Sequence, residues 1–269
     1  MKSSLLLLLT MFAISIHAQV GSFNLGGRSA GMAGASLTLS DEYSLFNNIG
    51  GLGGVEDHAA FAAYQNRYGV SQFQVVGAGA IYTTDIGNAG VGFYKFGDDI
   101  YSEQRIHLAV GNKIQMVSLS LGVDLLQYNI STVGTSQALA IQFGGIAEIS
   151  PQLHFGAHIF NLNQAKFDSE TGERIPTVMK GGFSYRPSDE LMLNMEVEKD
   201  LDFEEVFKAG IEYRIVEKVF VRTGISTQPF IGAFGVGFHP KNLKFDYGFS
   251  NDSKLGNIHE MSVAFSFKK

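Results

Sequence analysis

Val117-Ser118-Leu119-Ser120-Leu121-Gly122-Val123-Asp124-Leu125 sets an apolar side chain at every odd position and a small or charged one at every even position. Successive side chains of a β-strand leave opposite faces of the sheet, so this stretch is a ribbon with one greasy face and one polar face. The same period of two returns along the chain. Leu153, Phe155, Ala157 and Ile159 alternate with His154, Gly156 and His158. Leu191, Leu193, Met195 and Val197 alternate with Met192, Asn194, Glu196 and Glu198. Leu243, Phe245, Tyr247 and Phe249 alternate with Lys244, Asp246, Gly248 and Ser250, and Met261, Val263, Phe265 and Phe267 with Glu260, Ser262, Ala264 and Ser266.

A soluble β-sandwich shares that alternation, so strand length and punctuation decide between them. Fourteen strands are expected, near 58–65, 71–83, 88–97, 103–113, 117–131, 136–148, 152–162, 176–186, 190–199, 205–215, 218–227, 230–239, 242–250 and 258–268. Most approach the ~9–11 residues with which a tilted strand crosses a bilayer, whereas soluble strands centre near ~5–6. Every second connection is a short turn, such as Asp85-Ile86-Gly87, Ser150-Pro151 and Pro240-Lys241-Asn242, and the longest connection runs from Asn163 to Ile175. Short turns at one end and longer loops at the other are the mark of a membrane barrel. In lipid every backbone N–H and C=O must be paired inside the protein, so the sheet has to close. The expected fold is all-β: a closed antiparallel transmembrane β-barrel with outer-membrane lipid around it. Phe96, Tyr128, Tyr185, Tyr213, Tyr247 and Phe267 lie near strand ends and are expected to form its interfacial belt.

The rest of the sequence agrees with export. A basic start at Lys2, an apolar run from Leu5 to Ile16 and the small residue Ala18 predict a secretory signal peptide over 1–18. The chain has no Cys, which excludes disulfides, a cysteine-linked lipid anchor and thiolate metal sites. A net charge of −6 gives no basic surface for nucleic acid. No Ser-His-Asp elbow, P-loop or dinucleotide-binding glycine pattern is present, so neither an enzyme nor a cofactor is expected.

Residues 19–57 precede the barrel (58–269) and do not alternate. Ser40 is placed to cap a short helix with Asp41 and Glu42 in its first turn. Leu45, Phe46 and Leu52 need a dry place, so the segment is expected to fold as a plug in the periplasmic mouth. Gly27-Arg28-Ser29-Ala30-Gly31-Met32-Ala33-Gly34-Ala35, then Asp41, then Asn48-Ile49-Gly50-Gly51-Leu52, resembles the start of the FadL-like outer-membrane barrels. That superfamily includes the PorV and PorQ proteins of type IX secretion. Its usual Asn-Pro-Ala-Gly-Leu reads here with Ile49 and Gly50 in place of Pro and Ala. The resemblance implies a plugged barrel of fourteen strands, with Arg28, Gly31, Gly34, Asp41, Asn48 and Gly51 as the plug motif.

Charges must avoid the lipid face, where Arg or Lys at mid-membrane costs roughly 2–4 kcal/mol. Arg105, His107, Asp124, His154, His158, Lys180, Arg186, Asn194, Glu196, Glu198, Lys208, Glu212, Arg214, Arg222, Lys244, Asp246 and Glu260 are therefore expected to line the interior as a network of ion pairs. Facing positions on paired strands sit ~5 Å apart, close enough to neutralise one another. His154 and His158 share a face without a carboxylate or Cys at ligand spacing, so no metal site is expected. The pair Glu196 and Glu198 reads as ion-pair partners rather than an acid–base couple. A polar lumen and short loops favour an accessory subunit docked to an envelope secretion or assembly complex, as the PorV and PorQ resemblance implies. The alternative is a channel for hydrophobic small molecules. It would need an apolar pocket, for which Met32, Leu37, Leu39, Leu45 and Phe46 are the candidates.

Overall fold

The computed structural model describes residues 24–132, 134–167 and 175–268, so the expected signal peptide lies outside the described part. Its strands are β1 (His58–Arg67), β2 (Gln74–Thr84), β3 (Gly87–Gly97), β4 (Tyr101–Ile114), β5 (Val117–Ile130), β6 (Gly134–Glu148) and β7 (Leu153–Phe160). They continue as β8 (Val178–Tyr185), β9 (Leu191–Asp200), β10 (Val206–Val216), β11 (Val219–Ser226), β12 (Ile231–Phe238), β13 (Leu243–Asp252) and β14 (Gly256–Phe267). Each pairs antiparallel with its sequence neighbours. β1 closes on β14, with His58 opposite Phe267 and Arg67 opposite Ile258. Closure leaves no open edge to carry unpaired amides in lipid.

The wall is uneven. β4, β5 and β6 have 14, 14 and 15 residues, while β7 and β8 have 8 each. Where β6 rises past the end of β7, a side chain replaces the ladder. Asn163 Oδ1 accepts from the Ile141 amide and Asn163 Nδ2 donates to the Leu139 carbonyl, both at 2.8 Å. Strand β2 starts at Gln74 rather than 71 because Ser71–Phe73 tighten into a 3₁₀ turn.

The outward row is apolar nearly throughout. Leu108 is 57% exposed, Met195 71% and Met261 60%, a surface that only lipid can cover. The aromatic belt needs correction. Tyr185, Tyr213 and Phe267 face outward, but Tyr128 is buried in the lumen and Phe96 lines it. Both share the inward parity of their strands, β5 and β3.

Inside the barrel lies the segment before β1. It carries α1 (Gly27–Ala30), α2 (Ser44–Asn47) and a 3₁₀ helix over Ile49–Gly54. Ser40 does not cap α2; the cap position is Tyr43. Asp41 Oδ1 instead accepts the Tyr43 amide at 3.1 Å, closing a local turn that delays the helix. Asn48 does cap, its Oδ1 accepting the Gly50 amide at 2.9 Å. Backbone meets backbone where the segment touches the wall. A Cβ on Gly50 would stand 2.3 Å from the Gly145 nitrogen, and one on Gly224 of β11 would stand 2.3 Å from the Met32 carbonyl carbon. The glycine-rich sequence on both sides is what permits this approach.

Candidate functional site

The inserted segment divides the lumen into unlike halves. Towards β1–β4 it buries Leu25, Tyr43, Leu45, Phe46, Ile49 and Leu52 against Ala59, Phe61, Ala63, Val75, Ile81 and Tyr94. Each fully buried side chain of this size contributes roughly 1.5–3 kcal/mol. The lumen is therefore not polar throughout, as expected from the sequence; its β1–β4 side is a dry packing surface. The Tyr43 hydroxyl finds partners at the edge of that surface, donating towards the Ala62 and Val263 carbonyls at 3.0 and 2.9 Å. Burial raises the Tyr43 hydroxyl pKa well above its ordinary value.

The opposite side is ionic. Arg28 of α1 grips Glu212 of β10 with two hydrogen bonds, Nη2 to Oε1 at 2.6 Å and Nε to Oε2 at 2.9 Å, and reaches Asp41 at 3.1 Å. Arg222 continues the chain, with Nε at 2.5 Å from Glu212 and Nη1 at 2.6 Å from Asp246. His239, which the sequence reading missed, faces Asp246 at 3.0 Å. Burial works to lower the Arg28 guanidinium, but Glu212 and then Asp41 outweigh it and hold it above its usual value. Burial raises the Asp41 carboxyl against the pull of Arg28.

A second set sits on β8–β10. Lys208 lies 2.6 Å from Glu198 and 3.3 Å from Glu196, and Lys180 lies 3.6 Å from Glu198. Glu196 also accepts the Ser36 and Leu37 amides at 3.2 Å, joining segment to wall. A third set spans β4–β7. Asp124 pairs with Arg105, accepts from Gln142 at 2.7 Å and contacts His107 at 2.8 Å. His158 contacts Gln142 at 2.7 Å. Gln142 is the amide that links these histidines, and its inward parity on β6 was readable.

Three further residues from the expected network bind the segment itself. Lys244 reaches Glu42 at 2.8 Å, Arg186 donates to the Thr38 carbonyl at 3.1 Å, and Glu260 accepts the Gly26 amide. Gln65 donates to Glu260 at 2.8 Å. Arg214 stands apart at the rim, half-exposed and 3.4 Å from Glu190. Of the plug motif, Gly31 lies against Gly235 and Gly51 against the Leu39 carbonyl, while Gly34 adopts φ +82°.

Above and below the segment the lumen opens into two vestibules. The one at the loop end has a volume of about 620 Å³, with Phe73, Tyr94, Phe96, Tyr101, Ile231 and Ile258 on its walls and Ala30, Ala33 and Gly34 at its floor. The one at the turn end, about 610 Å³, is lined by Arg28, His154, Arg186, Glu190, Glu212 and the turn Pro187–Asp189. On the outer wall, Gly145, Ala157 and Gly181 are cross-strand neighbours on β6, β7 and β8. Their small size leaves an apolar groove of about 410 Å³ between Phe143, Phe155, Ile159 and Met179.

No family model matches the chain, and no curated protein matches it. Among solved structures it is similar to the toluene transporter TbuX of Ralstonia pickettii, with a TM-score of 0.66 and 12% identity over 93% of this chain and 99% of that one. It is also similar to a deletion mutant of the TodX monoaromatic hydrocarbon channel, with a TM-score of 0.69 and 10% identity over 92% and 99%. A FadL homologue from Pseudomonas aeruginosa gives a TM-score of 0.67 and 10% identity over 90% and 98%. The fold is thus FadL-like, and its apolar outer belt places it in the bacterial outer membrane. The secretion-accessory reading drawn from the PorV and PorQ resemblance is corrected by these matches, whose named members are channels for small molecules.

Proposed function

We propose that the barrel conducts hydrophobic small molecules across the outer membrane, with the N-terminal segment as the plug that controls passage. The observation that carries this reading is the loop-end vestibule. Its aromatic and aliphatic walls enclose about 620 Å³ above a floor of small residues. Ligand sites for small apolar molecules have this character: roughly 300–1,000 Å³, mostly apolar walls, and a few polar groups. Arg67, Gln65 and Glu103 stand among its polar groups, and Lys208, Glu198 and Glu260 line its side towards the ion-paired strands. The likeness in fold to hydrocarbon channels supports the same class of solute. The apolar groove on the outer wall adds a surface on which such a solute can partition from the lipid.

Uptake of radiolabelled toluene by cells expressing the chain tests the reading. Expression is expected to raise the initial rate above that of cells carrying an empty vector. Phe96→Asp, which sets a charge into the apolar wall of the loop-end vestibule, is expected to remove most of that gain. A rate equal to the empty-vector control, with the barrel folded in the outer membrane, refutes the proposal.

A further inference from the structure

The loop-end vestibule carries a net charge. Among the described residues the charged side chains on its lining are Arg67 and Lys208 against Glu103, Glu198 and Glu260, two cations against three carboxylates. Lys208 is held between Glu198 at 2.6 Å and Glu196 at 3.3 Å, so it does not offset the other two. Both of those are built into the wall as carboxylates. Glu260, 2% exposed, accepts from the Gly26 amide on one oxygen and from Gln65 at 2.8 Å on the other. Glu103, 8% exposed, accepts the Tyr101 hydroxyl at 2.6 Å. Of the lining cations Arg67 remains to face the pair, which leaves the chamber one charge negative.

The aromatic wall shows what such a chamber accepts. The Arg67 guanidinium carbon lies 5.5 Å from the centroid of the Phe96 ring, inside the ~6 Å at which a ring face attracts a cation. Phe73 stacks beside Phe96 at 6.0 Å, and Tyr101 meets it edge-on at 6.3 Å. The approach has the same sign. The described loop-end connections carry Asp98 and Asp99 between β3 and β4, and Asp202, Glu204 and Glu205 between β9 and β10, against Lys166 and Lys254. The turn-end vestibule repeats the excess, with Glu148, Asp189, Glu190 and Glu212 against Arg28 and Arg186. A cleft lined by one sign of charge, with low-dielectric walls, concentrates solutes of the opposite sign.

We infer that the loop-end vestibule selects among hydrophobic solutes by charge, favouring those that carry an ammonium group over carboxylates of the same skeleton. Glu103 and the Phe96 ring are the residues that set the preference. An ammonium group entering the chamber meets ring faces and carboxylates, both of which attract it. A carboxylate leaves water for a low-dielectric space whose charge has its own sign, and like-charge juxtaposition is how a site rejects the wrong partner. The 620 Å³ of the chamber holds the body of an arylalkyl amine. This inference rests on the reading of the barrel as a channel for hydrophobic molecules and names the class within them.

The test is calorimetric titration of the purified full-length barrel, in a neutral detergent at pH 7, with 4-phenylbutylamine, 4-phenylbutyrate and the neutral 4-phenylbutanol. At this pH the amine is protonated and the acid ionised, as lysine and glutamate side chains are in water. The amine is expected to bind at least tenfold more tightly than the carboxylate, with the alcohol between them. Glu103→Gln, which keeps an acceptor for the Tyr101 hydroxyl, is expected to narrow that ratio severalfold and leave the alcohol unchanged. The comparison of probes on the unaltered barrel needs no variant. Equal affinity for amine and carboxylate, a preference for the carboxylate, or no measurable binding of the amine overturns the inference. Toluene uptake separates the two readings. Uptake without discrimination between the charged probes removes the charge selection and keeps the channel, and discrimination without uptake removes the channel and keeps a charge-selective site.

Discussion

Lys208 is the residue whose replacement tests the ionic half of the lumen most directly. Its ammonium is 7% exposed and lies 2.6 Å from Glu198 and 3.3 Å from Glu196, whose carboxylates are 9% and 2% exposed. Lys208→Met keeps most of the length of the side chain and removes its charge. Of the two buried carboxylates left behind, Glu198 keeps Lys180 at 3.6 Å. Breaking a buried pair by deleting one partner costs about 3–5 kcal/mol. Because Lys180 remains, the lower end applies, about 3 kcal/mol. Glu196 also carries two amide bonds from Ser36 and Leu37, so the loss spreads to the plug. For a domain of this size that corresponds to a fall of about 6–12 °C in the melting point. The assay is heat-modifiability on a gel, in which the folded barrel migrates apart from the unfolded chain. The temperature at which the folded band disappears is the readout. The triple variant Lys208→Met, Glu196→Gln, Glu198→Gln removes the orphaned charge as well, and replacing buried ions by neutral groups is often neutral or stabilising. It is expected to recover most of the lost temperature. An unchanged conversion temperature in Lys208→Met, or a triple variant as weak as the single one, refutes the view that these charges neutralise each other.

Three other expectations follow from the same geometry. Gly224→Val places atoms where the Met32 backbone now lies, since even a Cβ there would be 2.3 Å away; the plug should lose its seat, and ion conductance in planar bilayers should rise while Gly232→Val, whose Cβ meets nothing within 4 Å, leaves it unchanged. Leu108→Arg on the outward face, now 57% exposed to lipid, should cost roughly 2–4 kcal/mol in urea unfolding from vesicles, and a loss below 1 kcal/mol would contradict the placement of β4 in the membrane. Arg28→Ala leaves Glu212 and Asp41 without their shared cation; plug protection in hydrogen exchange should fall around α1 and α2 while amides of β1–β3 stay protected.

The barrel was legible because hydrocarbon tolerates few alternatives. Asp124 between Val123 and Leu125 can only point away from lipid, and that fixes the parity of the whole strand. The same rule, carried four residues further, puts Tyr128 inside, and its assignment to the belt failed because proximity to a strand end says nothing about side. The apolar half of the lumen was harder. His58 to Tyr64 reads His-Ala-Ala-Phe-Ala-Ala-Tyr, apolar on both faces, so alternation gives no direction there. Which face takes the plug depends on where Leu45 and Phe46 come to rest, and that is a tertiary fact. Gly90 and Gly92 carried the hint: a Cβ on either would stand 2.4 Å from Leu45 or 2.7 Å from Phe46.

The motif that suggested a secretion partner could not have distinguished partner from solute. Gly27 packs on the Asp246 carbonyl, Gly31 on Gly235, and Arg28 pairs with Glu212 of the wall. Each is a contact between plug and barrel, made at the turn end or mid-lumen. Such residues are constrained by how the plug seats, whatever the barrel serves. The side chains that line the open spaces are others: Phe73, Tyr94 and Phe96 around the loop-end vestibule, and Arg186 and His154 around the turn-end one. They come from different strands and show no spacing in the sequence. Only the closure of β1 onto β14 and the seating of the plug bring them together, so function had to be read from the vestibules rather than from the segment that separates them.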